Sequence, residues 1–159
     1  MCGIFGVIGT QNAAQRIFEG LKTLEYRGYD SAGIAVLGND GISNVKEAGK
    51  LDALKLSLDH LPENASTGIG HTRWATHGAP TKTNAHPHMH EDVVIVHNGI
   101  IENYKDIKED LLQDGVKFQS ETDSEVILHL FEKDLTKTND VEKSIANVTS
   151  KLELSLIHI

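Results

Sequence analysis

The chain has 159 residues, of which 39% are hydrophobic and 24% charged, as in one soluble globular domain and unlike a disordered or fibrous protein. Fifteen Lys and Arg stand against 23 Asp and Glu, and the net charge of −8 argues against nucleic-acid binding, which needs clustered basic residues. Apolar runs are far shorter than the roughly 18 residues of a membrane-spanning helix, and a single cysteine forms no internal disulfide, so we expect a cytoplasmic protein with no membrane partner.

The first half of the chain predicts strands that alternate with helices. Apolar runs with interspersed glycines, and apolar segments on either side of a Gly-bounded turn, are typical of paired strands. The predicted strands are residues 2–8, 32–37, 42–48 and 67–72. Apolar side chains recur at helical spacing from Ile17 to Leu24 and from Leu51 to Leu61. Each of these two segments predicts a helix, and Pro62 ends the second one.

The second half of the chain predicts one strand and three helices after a long loop. Residues 73–92 show little periodicity, and a loop of this length in a compact domain is usually functional or disordered. A strand is predicted over 93–97, followed by a turn signal at Asn98-Gly99. The predicted helices are 103–113 with Ile107, Leu111 and Leu112 inward, one opened by a capping box at 122–125, and one capped by Asp140 with Val141, Ile145, Val148 and Leu152 inward. This irregular order indicates an α+β fold.

Cys2 is a candidate nucleophile because removal of Met1 would give it a free α-amino group. A cysteine thiol is only slightly ionised at neutral pH, whereas an α-amine can accept its proton, so one residue would supply both nucleophile and base. The alternative is a small buried residue that packs as a hydrophobe. Position in the chain leaves both interpretations open.

Five motifs in chain order resemble one enzyme family. They are residues 1–4 (MCGI), 26–33 (YRGYDSAG), 71–78 (HTRWATHG), 97–100 (HNGI) and 121–123 (ETD). Together they resemble the glutaminase domain of the glucosamine-6-phosphate synthases, also called glutamine:fructose-6-phosphate aminotransferases, which are class II glutamine amidotransferases. The resemblance implies the N-terminal-nucleophile hydrolase fold, an αββα sandwich of two antiparallel sheets between helix layers.

The resemblance extends from Cys2 to about Glu153, so residues 2–153 are expected to be a partial amidotransferase domain, incomplete at the C-terminus. Residues 154–159 depart from the family pattern, and we expect them to be a non-native tail. The sugar-isomerase domains that bind fructose-6-phosphate in the family are expected to be missing.

The implied reaction is attack of Cys2 on the side-chain amide of glutamine, with release of ammonia and hydrolysis of a γ-glutamyl thioester. The resemblance assigns oxyanion stabilisation to the side-chain amide of Asn98 and the backbone N–H of Gly99. An isolated Asn-Gly pair more often forms a plain hairpin turn, which is the alternative for these two residues.

The resemblance also assigns the contacts to substrate. Arg73 is expected to bind the α-carboxylate of glutamine and Asp123 its α-ammonium, although a carboxylate in the first turn of a helix also serves as a cap. Trp74 is expected in a lid over the bound glutamine, where core packing is the alternative. The remaining assigned residues are Thr76 and His77 as substrate contacts and Arg27 as a support near Cys2 and Asn98, or else a surface arginine.

No cofactor is implied, since Gly68-Ile69-Gly70 lacks the third glycine of a dinucleotide fingerprint. His86, His88 and His90 alternate along an extended segment and could form a metal site, but the family is not known for one, and we expect no metal.

The implied partners are glutamine and, through the missing domains, fructose-6-phosphate on the way to amino sugars and UDP-N-acetylglucosamine. The full-length enzyme is expected to be a homo-oligomer. Two alternatives stay open, namely the glutaminase half of another class II amidotransferase and a non-catalytic glutamine-binding module.

Overall fold

The computed structural model describes residues 2–155, and the chain separates into two compact units, one up to Asn98 and one from Gly99. Within the described residues, no helix is long and apolar enough to cross a lipid bilayer. Of the predicted non-native tail, Leu154 and Ser155 form a short strand, and residues 156–159 lie outside the described part. The predicted extent of the amidotransferase domain, 2–153, stays a prediction.

The first unit contains a four-stranded antiparallel sheet with the order β1-β4-β2-β3. Its strands are β1 (Gly3–Val7), β2 (Ser31–Gly38), β3 (Gly41–Ala48) and β4 (Thr67–Arg73). The four predicted strands are confirmed, and β2 and β3 form the predicted hairpin. The register pairs Gly3 of β1 with Thr72 of β4, which brings the start of the chain to the end of β4.

Helix α1 (Ala13–Leu24) packs on this sheet, as its apolar spacing predicts. Ile17, Phe18 and Leu21 on the inner face of α1 are almost fully buried. Gly70 of β4 allows this close approach, because a Cβ atom there would lie 2.4 Å from Cγ2 of Ile17. The exposed residues of α1 face solvent, so one apolar stripe anchors the helix.

The second predicted helix is shorter than expected. Helix α2 covers only Leu51–Lys55, and a separate 3₁₀ turn follows at Leu58–His60. Tight bonds from the Ser57 N–H to the Leu54 carbonyl and from the Leu61 N–H to the Leu58 carbonyl replace the regular helical ladder. Leu54 and Leu61 are nevertheless buried as predicted.

The predicted loop 73–92 is partly a strand. β5 (His88–His90) pairs antiparallel with β6 (Val93–Ile95), and β6 ends two residues before the predicted limit of 97. The backbone of His97 bonds to side chains instead of a neighbouring strand, which explains the earlier end.

The second unit confirms the three helices predicted for this part of the chain. Its elements are β7 (Ile100–Ile101), α3 (Tyr104–Gln113), α4 (Glu125–Thr138), α5 (Val141–Thr149) and β8 (Leu154–Ser155), with β7 paired to β8. Buried Ile101, Leu111 and Val126 form its core. Asp140 caps α5 as predicted, since its side chain accepts the Lys143 N–H at 3.0 Å.

Some side chains predicted to face inward in this unit do not. Leu112 of α3 is 52% exposed. In α5, Val141 and Ile145 are 56% and 50% exposed, whereas Ser144 is fully buried. Val148 is buried as predicted, and the hydroxyl of Ser144 shares a hydrogen bond with that of Thr138 at 2.6 Å, so the buried face of α5 combines an apolar with a polar contact.

The predicted capping box is also corrected. Helix α4 begins at Glu125, with Ser124 at the N-cap and no capping bond from the Ser124 side chain. The carboxylate of Glu125 instead accepts the backbone N–H groups of Gln119 and Ser120, each at 2.7 Å. The acidic residue therefore does reach back along the chain, but to a turn that lies further upstream.

Candidate active site

The sulfur of Cys2 lies against the backbone of Trp74. The Trp74 N–H donates to Sγ at 3.4 Å, and Sγ lies 3.7 Å from the Trp74 carbonyl oxygen. The two residues are 72 positions apart in the chain. The antiparallel pairing of β1 with β4 brings them together, because Cys2 directly precedes β1 and Trp74 directly follows β4.

The surroundings of Cys2 disfavour a free thiolate. Burial raises the pKa of the thiol and the Asp30 carboxylate raises it further, while the hydrogen bond from Trp74 and the charge of Arg73 lower it. The net shift is upward from the ordinary value. A reaction that uses this sulfur as a nucleophile therefore needs a nearby group that accepts its proton.

Asn98 contacts the same residue from another direction. Its side-chain Nδ2 donates to the backbone carbonyl of Cys2 at 3.1 Å, across 96 residues of sequence. The amide is thus held against the backbone of the candidate nucleophile. Gly99 belongs to the second unit, where it precedes β7.

Asn98 and Gly99 do not form the plain hairpin that was the alternative for this pair. Among the described strands, β6 pairs with β5 and β7 pairs with β8, so the strands on either side of Asn98-Gly99 are not each other's partners. The oxyanion assignments for both residues stay predictions.

Arg73 ends β4 with its side chain buried and only 4% exposed. Its Nη1 donates to the carbonyl of Ala79 at 3.1 Å, and its Nη2 donates to the carbonyls of Gly78, at 3.1 Å, and His77. The guanidinium therefore holds the start of the long loop as well as being a candidate for binding a carboxylate. That second role stays a prediction.

Asp30 is a site residue for which the sequence reasoning assigned no role. Its carboxylate accepts the Ala75 N–H and, at 3.0 Å, the Ser31 hydroxyl, and its backbone N–H donates to the Arg73 carbonyl at 3.2 Å. Asp30 thus fixes the segment 73–75 that surrounds the Cys2 sulfur. Its place inside the motif at 26–33 was the signal that could have identified it.

The other predicted substrate residues of the first unit are more exposed to solvent than Arg73. Trp74 is 48% exposed, and its ring meets that of Tyr29 edge to face at 5.4 Å, so Trp74 is not a core residue. Thr76 is exposed, and His77 and Arg27 are half-buried. The structure brings Cys2 together with Trp74 and Asn98, and the roles in substrate binding stay predictions.

Asp123 lies in the second unit and is buried, with 3% of its surface exposed. Its Oδ2 accepts the Ile101 N–H at 2.9 Å, and its Oδ1 accepts the Ser124 hydroxyl at 3.3 Å. Asp123 precedes α4 rather than lying in its first turn, because the helix begins at Glu125. The carboxylate connects the start of α4 to β7, and its predicted bond to an α-ammonium stays a prediction.

The three alternating histidines, His86, His88 and His90, differ in their surroundings. The His86 ring stacks on that of His71, with centroids 4.4 Å apart and planes at 19°, and it also lies 4.4 Å from the ring of His88. His90 is exposed, whereas His86 and His88 are buried. The sequence reasoning gave His71 no role, although the motif at 71–78 contains it.

Comparison with known proteins gives a family and several named relatives. A family model described as a glutamine amidotransferase domain matches residues 59–141, which is about half of the chain. A Zymomonas mobilis protein named glutamine-fructose-6-phosphate aminotransferase (isomerizing) is 48% identical over 152 residues, which cover 96% of this chain and 25% of that protein. A Thermus thermophilus protein of the same name is 55% identical over 135 residues, which cover 84% of this chain and 22% of that protein. The chain thus spans about a quarter of the length of these relatives.

Among solved structures, glutamine phosphoribosylpyrophosphate amidotransferase from B. subtilis, complexed with ADP and GMP, matches with a TM-score of 0.83 at 25% identity. The match covers 97% of this chain and 33% of that one. It confirms the predicted α+β class and the N-terminal-nucleophile hydrolase type of fold. The resemblance inferred from the five motifs is also confirmed, and the chain belongs to the glutamine amidotransferase domain family.

Proposed function

We propose that this chain hydrolyses the side-chain amide of glutamine and supplies ammonia for transfer to an acceptor, with Cys2 as the nucleophile. The observation that carries the proposal is the grouping around Cys2, whose sulfur accepts the Trp74 N–H while its carbonyl accepts the Asn98 amide. Family membership supports glutamine as the substrate.

In the first step, the Cys2 sulfur forms a bond to the amide carbon of glutamine. The tetrahedral intermediate collapses by breaking the carbon–nitrogen bond, and ammonia leaves with the proton that the thiol gave up. Water then attacks the thioester carbon, glutamate is released and the sulfur regains a proton. No redox partner is needed, because the reaction exchanges only protons and acyl groups.

The proton acceptor in this proposal is the α-amine of Cys2 after removal of Met1. A base is required because burial raises the pKa of the thiol above its ordinary value. The hydrogen bond from Trp74 and the charge of Arg73 favour the thiolate once it forms, since both lower the pKa.

Asn98 and Gly99 are proposed to donate to the oxyanion of the tetrahedral intermediate. The Asn98 amide already lies beside the nucleophile, which supports this role. Arg73 and Asp123 are proposed to bind the two charged α-groups of glutamine. Arg27, Trp74, Thr76 and His77 complete the proposed site.

The acceptor is proposed to be fructose-6-phosphate, aminated elsewhere in a longer protein to give glucosamine-6-phosphate. Relatives named for fructose-6-phosphate are 48% and 55% identical, whereas the phosphoribosylpyrophosphate enzyme is 25% identical, and this difference favours the first acceptor. We further propose that the whole protein is cytoplasmic and homo-oligomeric, as the resemblance implies.

The experiment is an intact-mass measurement before and after incubation with a diazoketone analogue of glutamine, with free glutamine as competitor. Loss of Met1 and one glutamine-protectable adduct, absent from Cys2→Ser, support the proposal. A Met1-free chain that forms no adduct contradicts it. Adduct formation on a chain that retains Met1 overturns the role of the α-amine, and glutamine binding without turnover favours the non-catalytic alternative.

A further inference from the structure

Two buried imidazoles bind both polar groups of one peptide residue, His97. The His97 N–H donates to Nδ1 of His86 at 3.3 Å, and the His97 carbonyl accepts from Nε2 of His71 at 3.1 Å. The next residue is Asn98, whose side-chain amide donates to the carbonyl of Cys2. We call His71 and His86 the histidine clamp.

Hydrogen-bond polarity assigns the tautomer of each ring in the clamp. A carbonyl only accepts, so Nε2 of His71 carries a proton; an N–H only donates, so Nδ1 of His86 is unprotonated. Protonation of His86 at Nδ1 would remove the acceptor. Burial favours the neutral rings, since it lowers the pKa of His71 to about 3 and that of His86 well below its ordinary value.

The clamp rests on the four-stranded sheet of the first unit. His71 is fully buried in β4, where it pairs with Gly33 of β2 on one side and Ile4 of β1 on the other. The backbone of His86 packs on the neighbouring strand β2, because a Cβ atom at Gly33 would lie 2.3 Å from the His86 carbonyl oxygen. The two rings stack at 4.4 Å, so neither can move without disturbing the other.

Residues 96–98 lie outside the strands of the described part of the chain, so no ladder among those strands fixes the position of Asn98. Three contacts hold it in place: the two clamp bonds to His97 and the bond from its own side chain to Cys2. We propose that His71 and His86 are positioning residues that hold the His97 peptide, and through it the Asn98 amide, in the geometry that stabilises the reaction's oxyanion. This inference rests on the proposed function and adds to it two residues that touch no reacting atom.

The test replaces each histidine with Gln or Asn. Each of these side chains places an amide atom near only one of the two ring nitrogens, Nε2 or Nδ1. In Gln the amide nitrogen lies near the position of Nε2, and in Asn the amide oxygen lies near the position of Nδ1. His71→Gln and His86→Asn are therefore matched variants that keep the clamp bond, and His71→Asn and His86→Gln are mismatched variants that lose it.

We expect a crossed pattern in glutamine hydrolysis by the full chain. The matched variants should keep kcat within about 3-fold of the original chain, and the mismatched ones should lose about 10- to 100-fold, because a misplacement of about 1 Å costs on that order. KM should stay within about 2-fold, since the clamp touches no substrate. If Gln and Asn lower kcat equally at each position, or if only KM rises, the proposal is overturned in favour of a packing role.

Two further measurements need no activity and separate this inference from the proposed function. Amide hydrogen exchange at His97, whose N–H donates to His86, should be at least about 10-fold faster in His86→Gln than in His86→Asn. Nitrogen-15 chemical shifts of the unsubstituted chain should show His71 protonated at Nε2 and His86 unprotonated at Nδ1. This measurement does not depend on whether any variant folds. The opposite tautomer in either ring refutes the clamp. A confirmed clamp in a chain that hydrolyses no glutamine refutes the proposed function and, with it, the catalytic purpose of the clamp.

Discussion

The Trp74 N–H points at the sulfur of Cys2 from 3.4 Å, just beyond the Gly3–Thr72 pair of the β1–β4 ladder. Because strand register fixes this contact, the sulfur has a defined position even though Cys2 lies at the start of the chain. A nucleophile needs such a position before any substrate arrives, since misplacement of reacting atoms by about 1 Å can cost on the order of 100-fold in rate.

Asn98→Ala should lower kcat for glutamine hydrolysis by about 100- to 1,000-fold with little change in KM, because an oxyanion donor acts mainly in the transition state. Steady-state kinetics measures both constants, and a thermal melt establishes that the variant folds. Asn98→Asp has the same shape without the donor and should lose at least as much. A folded Asn98→Ala chain with unchanged kcat would contradict the oxyanion role.

Asp30→Asn should shift the pH profile of Cys2 alkylation to lower pH. The negative charge of Asp30 raises the pKa of the thiol by disfavouring the thiolate, so neutralising it lowers that pKa. Asn keeps an oxygen that can accept the Ala75 N–H, which preserves the segment beside the sulfur. The rate of iodoacetamide labelling against pH is the measurement. Asp59→Asn, at an exposed position, should leave the profile unmoved, and a shift to higher pH in Asp30→Asn would refute the argument.

Arg73→Lys should raise KM for glutamine by roughly 10- to 100-fold, because Lys cannot reproduce a planar fork that binds loop carbonyls and a carboxylate. The loop 77–79 should also become more accessible to proteases, since its carbonyls lose their donors. Kinetics and limited proteolysis measure the two effects. The matched control is Arg16→Lys at an exposed site, and equal behaviour of the two variants would remove the special role of Arg73.

Acid should destabilise the first unit through its buried histidines. Burial lowers the pKa of His71 from 6.5 to about 3, so between these values the unfolded chain binds a proton that the folded chain does not. The free energy of unfolding should therefore fall as pH drops below 6.5, by at most about 1.4 kcal/mol per pH unit for this group. The charges of His88, Arg73 and His97 lower the pKa of His71 further, while its hydrogen bond to the His97 backbone raises it.

Urea unfolding at several pH values between 7 and 4 measures the slope of the free energy of unfolding against pH. His71→Gln removes the titrating group while keeping a donor for the His97 carbonyl, so its slope should be shallower than that of the original chain. His60→Gln, at an exposed position, is the control and should leave the slope almost unchanged. An unaltered slope in His71→Gln would show that His71 does not contribute.

Glu125→Gln should destabilise the second unit by about 1 to 3 kcal/mol, because the carboxylate accepts two backbone N–H groups that a single amide oxygen satisfies less well. Burial acts to raise the pKa of Glu125, but hydrogen bonds from His129, Gln119 and Ser120 lower it to about 2. The stabilisation that Glu125 provides is thus complete above pH 4.5, the ordinary pKa of the carboxyl group, and is lost as the pH falls toward 2.

Urea unfolding at neutral pH measures the effect of Glu125→Gln, with exposed Glu109→Gln as the control. The difference between Glu125→Gln and the original chain should shrink as the pH falls below 4.5, where the original carboxylate loses its advantage. A difference that grows in acid would contradict this account.

Local patterns were sufficient where one short segment carries its own signal. The helical spacing from Ile17 to Leu24 predicted α1, and Asp140 predicted the start of α5. The same patterns failed for Val141 and Ile145, which are exposed, because hydrophobic spacing does not say which neighbour is available for packing. Ser144 is buried instead, through a partner hydroxyl on Thr138 that the pattern could not specify.

The sequence by itself determined the family, the strands of the sheet and the candidate nucleophile, since motifs and periodicity are properties of consecutive residues. Only the tertiary structure decided which backbone holds the Cys2 sulfur, that Asp30 fixes the segment beside it, and that His71 and His86 bind one peptide. These contacts join residues far apart in the chain, and they depend on strand register and on the burial of polar groups that must then find partners.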